Sequence, residues 1–262
     1  MDLQTVRDSL ARNQTREPES RGGQRRGLDG LFRHRYALHA AIYFLAFGMS
    51  AIPALGGSQR VWLALPQVAS RLLGVSFHGA VVAVSVAAIL LAFGAAFLRT
   101  WGAAYVGARV VVQADLNDNG VIADGPYRYI RNPLYLGTIL HTVALGVLMS
   151  WAGAAFAVVS VVLLQFGLIA SEESFLASRL GERYRAYRER VPSLFPGTPL
   201  KDSNFERHGA DWPQAFLCET YMWGTAISFL LLGWRYDVVL VVQGILVSLG
   251  LSLVVRGFQR AR

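Results

Sequence analysis

Between Leu134 and Ala170 the chain runs for 37 residues without a formal charge. At 1.5 Å per residue a single helix of that length would extend about 56 Å, nearly twice the roughly 30 Å core of a bilayer. Two antiparallel crossings fit instead, joined by a tight turn near "SWAGA" (150–154), where Trp151 anchors at the interface. Other apolar runs follow the same logic. They cover about Tyr36 to Leu55, with Pro53 ending the helix, then His78 to Leu98, about Gln214 to Leu232, and Val238 to Val255. The stretch "RVWLALPQVASRLLGVSF" between the first two is too interrupted to span and reads as an interfacial segment on the outer side. The expected fold class is therefore all-α, a polytopic transmembrane helix bundle of about six spans. Composition agrees: 53% of residues are hydrophobic and 16% charged, against about a quarter charged in soluble domains.

Arginine then orients the bundle. The N-terminal tail, residues 99–133, residues 171–211 and the terminal "RGFQRAR" each hold several, whereas the alternate loops hold Arg60 and Arg71, none, and Arg235. Six spans with both termini in the cytoplasm satisfy the positive-inside rule at every loop. Lys201 is the only lysine, and the net charge of +8 is spent on topology and anionic lipid heads. Arginines at span edges do not form the basic patch of a nucleic-acid-binding protein, so no nucleic-acid partner is expected. Residues 1–30 are polar and arginine-rich without an apolar core, which predicts a disordered cytosolic tail and no secretory signal. Cys218 stands alone in an apolar run and packs as a small hydrophobe.

Two features on the cytoplasmic side break the apolar pattern. The first is "GPYRYIRNPLY" (125–135), in which Pro126 and Pro133 fix φ and remove backbone donors. Asn132 is pushed out of helical geometry, and Pro133 suits the first turn of the next helix. The second is the acidic pair Glu172–Glu173 at the other end of the hairpin, so the two must be close in space. Carboxylates at the end of a membrane helix need a cation, a hydrogen-bond partner or a wet cavity. Adjacent helical residues point about 100° apart, which lets one glutamate face a ligand while the other pairs with arginine. After them Phe175, Leu176, Leu180, Tyr184, Tyr187 and Val191 form one stripe of a helix that ends at Pro192, with arginines elsewhere. Such a helix is expected to lie along the membrane surface, stripe toward lipid.

The order of these pieces, "GPYRYIRNPLYLG", a charge-free hairpin, "EE" and "LGERYRAYRERVPSLFPG", resembles the integral membrane S-adenosylmethionine-dependent methyltransferase superfamily. That superfamily includes isoprenylcysteine carboxyl methyltransferases and phospholipid N-methyltransferases. Arg131, Pro133, Tyr135 and Gly137 match its Arg-His-Pro-x-Tyr-x-Gly pattern, and Glu172 and Glu173 match its acidic pair. Gly181, Tyr184, Tyr187, Val191 and Pro192 match its interfacial tail. Asn132 stands where the isoprenylcysteine branch has histidine, which is closer to the phospholipid branch. The resemblance implies S-adenosylmethionine held by Tyr127, Asn132, Pro133, Tyr135, Leu136, Gly137, Glu172, Glu173, Tyr184 and Tyr187, with Arg131 and Glu173 as catalytic residues. It implies a lipophilic acceptor entering from the bilayer: an isoprenoid carboxylate or thiol, or a phospholipid amine. The chain then divides into the tail at 1–30, spans and interfacial segments at 31–124, a methyl-donor-binding core at 125–197, and a C-terminal transmembrane hairpin at 198–262.

Several signals are set aside. Asp115, Asn117, Asn119 and Gly120 copy half a calcium loop, but Pro126 occupies the position of the bidentate glutamate, so a turn is expected. The histidines show no metal-ligand spacing, and His141 reads as a hydrogen-bonded packing residue. No glycine-rich dinucleotide fingerprint follows a strand. Two rival functions stay open. Membrane sterol reductases have a similar loop and tail and use NADPH, but carry basic residues where this chain has "ASEESFL". A non-catalytic lipid-binding protein of the same fold is the other.

Overall fold

The computed structural model describes residues 31, 34–52, 59–107, 121–201, 209–235 and 237–261. The tail at 1–30, Pro53 and the turn at Asp115–Gly120 lie outside the described residues. Nine α-helices occur among those described: α1 Arg35–Met49, α2 Val61–Leu73, α3 Phe77–Val106, α4 Pro133–Gly146, α5 Trp151–Leu180, α6 Glu182–Arg190, α7 Trp212–Cys218, α8 Thr220–Arg235 and α9 Val238–Ala261. No strand is present among the described residues, in keeping with the all-α expectation.

α3 is the hub, packing against α2, α4, α7 and α8. In lipid, burial against protein gains little hydrophobic energy, so helices associate where small residues let backbones approach. α3 supplies them in quantity: Ala80, Ser85, Ala88, Ala92, Ala95, Ala96, Thr100, Gly102, Ala103 and Ala104 are all buried. Gly137 on α4 is another such position. A Cβ there would meet Ala95 O at 3.2 Å and the stem of Arg99 at 2.5 Å. Several polar groups facing inward are paired, as Trp62 Nε1 is with Ser85 (3.0 Å) and Trp223 Nε1 with Thr100 (2.8 Å). Outward, Leu90, Leu163 and Leu246 are 66%, 66% and 61% exposed, an apolar belt suited to acyl chains.

Three helices are long and apolar enough to cross a bilayer by themselves: Phe77–Val106, Trp151–Leu180 and Val238–Phe258. α7 and α8 make a fourth candidate, bent by 69° at the break around Glu219. The expected hairpin is formed by α4 and α5, but its turn comes early, at 147–150. At 1.5 Å per residue the 14 residues of α4 extend about 21 Å, short of the bilayer core. α2 covers the tip and accounts for the difference. Val61 N donates to Met149 O and Trp62 N to Val147 O, both at 2.8 Å, and Arg60 Nη1 donates to Leu148 O. The interfacial segment thus supplies the partners that the turn carbonyls need away from water.

The surface helix also differs from expectation. α5 continues two turns beyond Glu172, breaks at Gly181 with φ +56°, and α6 follows. Tyr184, Tyr187 and Val191 pack with Ala123, against Val121, Leu176 and Leu180, rather than on lipid. The stripe closes over the protein because the loop before α4 offers it an apolar face and a carbonyl partner.

Candidate functional site: a loop, an acidic pair and two adjoining cavities

The segment 125–132 enters through Gly125, whose φ of +56° suits glycine, and makes one 3-10 turn at Gly125–Arg128 with Pro126 in its first turn. Tyr129 N and Ile130 N both donate to Pro126 O, and buried Ile130 anchors the turn. Asn132 has φ −122° and ψ 55°, outside helical geometry, and Pro133 opens α4. What holds the loop comes from far along the chain. Arg131 N donates to Pro192 O (2.9 Å), Asn132 N to Ser193 O (3.1 Å), Gly197 N to Tyr129 O (2.9 Å) and Leu200 N to Arg128 O (2.9 Å).

The two glutamates have separate environments. Glu173, 8% exposed, accepts from Arg131 Nε (3.0 Å) and Asn132 Nδ2 (3.2 Å), with Arg131 Nη2 at 2.9 Å and Arg188 Nε at 3.5 Å. The remaining edge of Arg131 is also used, since Nη1 donates to Arg188 O (2.7 Å) and Val191 O (2.5 Å). A guanidinium so enclosed fixes geometry rather than reaching for a ligand. Glu172 accepts from Tyr135 OH at 2.7 Å through Oε2. A carboxylate has about four acceptor sites, so this leaves capacity on Glu172.

A cavity of about 80 Å³ lies between these groups. Tyr127, Arg131, Asn132, Pro133, Tyr135, Glu172, Glu173, Tyr184 and Tyr187 all line it, together with Val106 and Val121. Leu136 and Gly137 do not line it. Gly137 faces Ala95 and Arg99, so its small size serves helix packing. Burial pushes the phenols of Tyr127, Tyr184 and Tyr187 above their usual value near 10, reinforced by Glu172, Glu173 and Tyr184 respectively. They stay neutral and donate, as Tyr187 OH does to Tyr127 O at 2.8 Å.

Leu134, Tyr135 and Glu172 also line a second cavity of about 200 Å³, reached from α1, α4, α5, α8 and α9. One wall is a bidentate ion pair that sequence reasoning missed. Arg99 Nε and Nη2 each lie 2.7 Å from Glu219, and Nη1 donates to Thr138 Oγ1 (2.8 Å) and Leu134 O (3.2 Å). The signal available was Glu219 itself, a lone acid inside an apolar run. His141 bonds Tyr221 OH at 3.3 Å and lines this cavity as well.

The loop and the hairpin, around which the cavities lie, fall in a segment that resembles known proteins. Residues 82–183 match the phospholipid methyltransferase family. This segment is similar to proteins of the membrane methyltransferase superfamily. The chain is 34% identical over 93 residues to a protein-S-isoprenylcysteine O-methyltransferase of Schizosaccharomyces pombe, covering 34% of this chain and 39% of that protein. It is 32% identical over 127 residues to the cobalt-zinc-cadmium resistance protein CzcN of Cupriavidus metallidurans, covering 43% of this chain and 53% of that protein. The chain thus spans about half the length of one curated relative and about two fifths of the other. No solved structure matches. α1, α2, most of α6 and all of α7–α9 lie outside the matched family segment.

Proposed function

We propose that this chain is a membrane methyltransferase that moves a methyl group from S-adenosylmethionine to a lipophilic acceptor. The observation that carries the reading is the division of labour in the acidic pair: Glu173 is locked by Arg131 and Asn132, while Glu172 faces both cavities. The first cavity, at about 80 Å³, would take one polar end of the donor rather than the whole molecule. Its neutral phenols, the free valence of Glu172 and the rigid loop fit a molecule with a ribose diol and an ammonium, both of which donate to carboxylate. Bound there, S-adenosylmethionine supplies an electrophilic methyl group on a sulfonium that departs as a neutral thioether.

The residues then act by positioning. Arg131 and Glu173, expected at the ligand, are better assigned to holding the loop on the 188–193 segment, and Glu172 takes the ligand-facing role. In-line displacement needs alignment and exclusion of water more than acid–base help. Where the acceptor atom carries a hydrogen, its lone pair forms the new bond to carbon and the proton passes to Glu172. Tyr135, which donates to Glu172 Oε2, sets the direction of that carboxylate. The arginine-rich ends support a cytoplasmic donor cavity, with both termini on the same side.

The test is calorimetric titration of detergent-purified protein with S-adenosylhomocysteine, with NADPH in parallel. Saturable binding of S-adenosylhomocysteine, lost in Glu172→Gln, is expected. Binding of NADPH alone would move the chain to the sterol-reductase class, and binding of neither would leave a lipid-binding protein.

A further inference from the structure

The second cavity has a composite origin. α4 and α5 belong to the matched family segment, but α1, α8 and α9 do not, and they bring Arg35, Tyr36, His39, Tyr221 and Arg256 to it. Two polar atoms at its wall are buried without a hydrogen-bond partner among the described residues: Oε1 of Gln165 and Nε of Arg256. Leaving buried groups of this kind unsatisfied is costly, more so when they are charged, so they point to an occupant.

What each atom asks for can be worked out. His39 Nδ1 lies 2.6 Å from Arg35 O, so that nitrogen carries the proton and Nε2 is an acceptor. Gln165 Nε2, 2.9 Å from His39 Nε2, must therefore be the amide donor. That fixes the amide orientation and leaves Oε1 needing an N–H or O–H. Arg256 needs the opposite, an acceptor. Its guanidinium lies 5.4 Å from the Tyr36 ring, and that of Arg35 lies 4.8 Å from the same ring. Two guanidinium groups gathered at one aromatic ring make this end of the cavity positive, which favours an anionic occupant. His39 is one turn along α1 from Arg35, about 6 Å, so Gln165 lies deeper than the arginines.

We propose that this cavity binds the polar group of the methyl acceptor, taking an oxyanion, phosphate or carboxylate, at Arg256 and Arg35 and an N–H or O–H of the same molecule at Gln165. Its assignment to the acceptor rests on the methyltransferase reading; the oxyanion site does not. Charge sets the orientation. Glu172, which lines both cavities, attracts the hydrogen-bearing end, and that end then lies beside the donor cavity. A volume of about 200 Å³ is below the roughly 300–1,000 Å³ of pockets that enclose a whole drug-sized ligand, so the site admits a head group and leaves any long chain outside.

The experiment titrates the full-length protein in non-ionic detergent with decyl phosphate, decanoate, decanol and inorganic phosphate. Decyl phosphate or decanoate is expected to bind saturably and decanol not. Arg256→Gln should weaken that binding at least tenfold, Arg256→Lys should retain most of it, and Arg235→Gln, beyond the cavity, should leave it unchanged. Inorganic phosphate displacing decyl phosphate would identify a free anion as sufficient; failure to displace it would identify a chain-bearing head group. Equal binding of decanol and decyl phosphate, or unchanged affinity in Arg256→Gln, overturns the site. Unchanged S-adenosylhomocysteine binding by Arg256→Gln shows that the variant is folded. If the wild type binds decyl phosphate but not S-adenosylhomocysteine, the methyltransferase reading fails and the oxyanion site stands.

Discussion

Replacing either member of the Arg99–Glu219 pair should destabilise the protein more than replacing both. Glu219 is 2% exposed at the bend between α7 and α8, and both of its oxygens lie 2.7 Å from Arg99. Glu219→Leu leaves a buried guanidinium without its counter-ion, and Arg99→Met leaves a buried carboxylate. Losing one partner of such a pair costs about 3–5 kcal/mol, whereas an apolar replacement of both is often neutral or stabilising. The double variant is well provided for, because Thr138 Oγ1 keeps its own bond to Leu134 O at 3.0 Å. At about 2–4 °C per kcal/mol for a chain of this order of size, each single variant should lose about 6–20 °C in Tm. Thermal scans at one fixed rate in detergent give the comparison, with the double variant expected above both singles. A double variant that falls by the sum of the singles would refute the view that desolvated charge, rather than packing at the bend, makes the pair matter. The same scan in decyl phosphate connects it to the site, since Tyr221 and Met222 follow Glu219 directly into the second cavity.

Tyr135→Phe removes a 2.7 Å donor to Glu172 and should weaken S-adenosylhomocysteine binding by about tenfold in calorimetry, since a bond to a charged group contributes about 1.5–3 kcal/mol. Unchanged affinity would show that Glu172 needs no guide. Gly137→Ala should lower Tm through crowding of Arg99 and Ala95 O, a cost of about 1–3 kcal/mol, with little change in donor affinity if its role is packing alone. Stability should fall as the pH rises above about 10. Folded Tyr127, Tyr184 and Tyr187 hold their protons past the value near 10 at which the unfolded phenols ionise. Tyr187→Phe should make the alkaline fall in unfolding scans shallower, and an unaltered slope would remove tyrosine from the explanation.

Much of this was legible because lipid leaves a chain few options. A charge-free run of 37 residues has to fold back, and prolines on both sides of a cationic loop have to hold it stiff. The nearness of that loop to the acidic pair followed from the hairpin alone, and nine of the residues picked out by motif meet at one cavity. What escaped depended on distances between elements that no local pattern records. Nothing in "LCET" says that Glu219 meets Arg99, 120 residues earlier. The stripe of α6 has the period of a lipid-facing helix, yet Tyr184 and Tyr187 bury against the loop, because periodicity specifies a face and not its partner. Likewise the spacing of Glu172 and Glu173 shows that they point apart, but which one remains available depends on where Arg131 reaches.

The distance in sequence between the loop and its supports bears on biosynthesis. Arg131 is tied to Val191, 60 residues later, and Arg128 to Leu200. At roughly 5–20 residues per second of translation, those supports emerge about 3–12 seconds after the loop does. During that interval α4 and α5 can already sit in the bilayer, while Glu173 and Arg131 lack the segment that encloses them. The first cavity is thus completed only by the piece of chain that follows the hairpin. A nascent chain stalled before Pro192 would be inserted in the membrane yet have no formed cavity, which couples the appearance of the site to completion of its own closing segment.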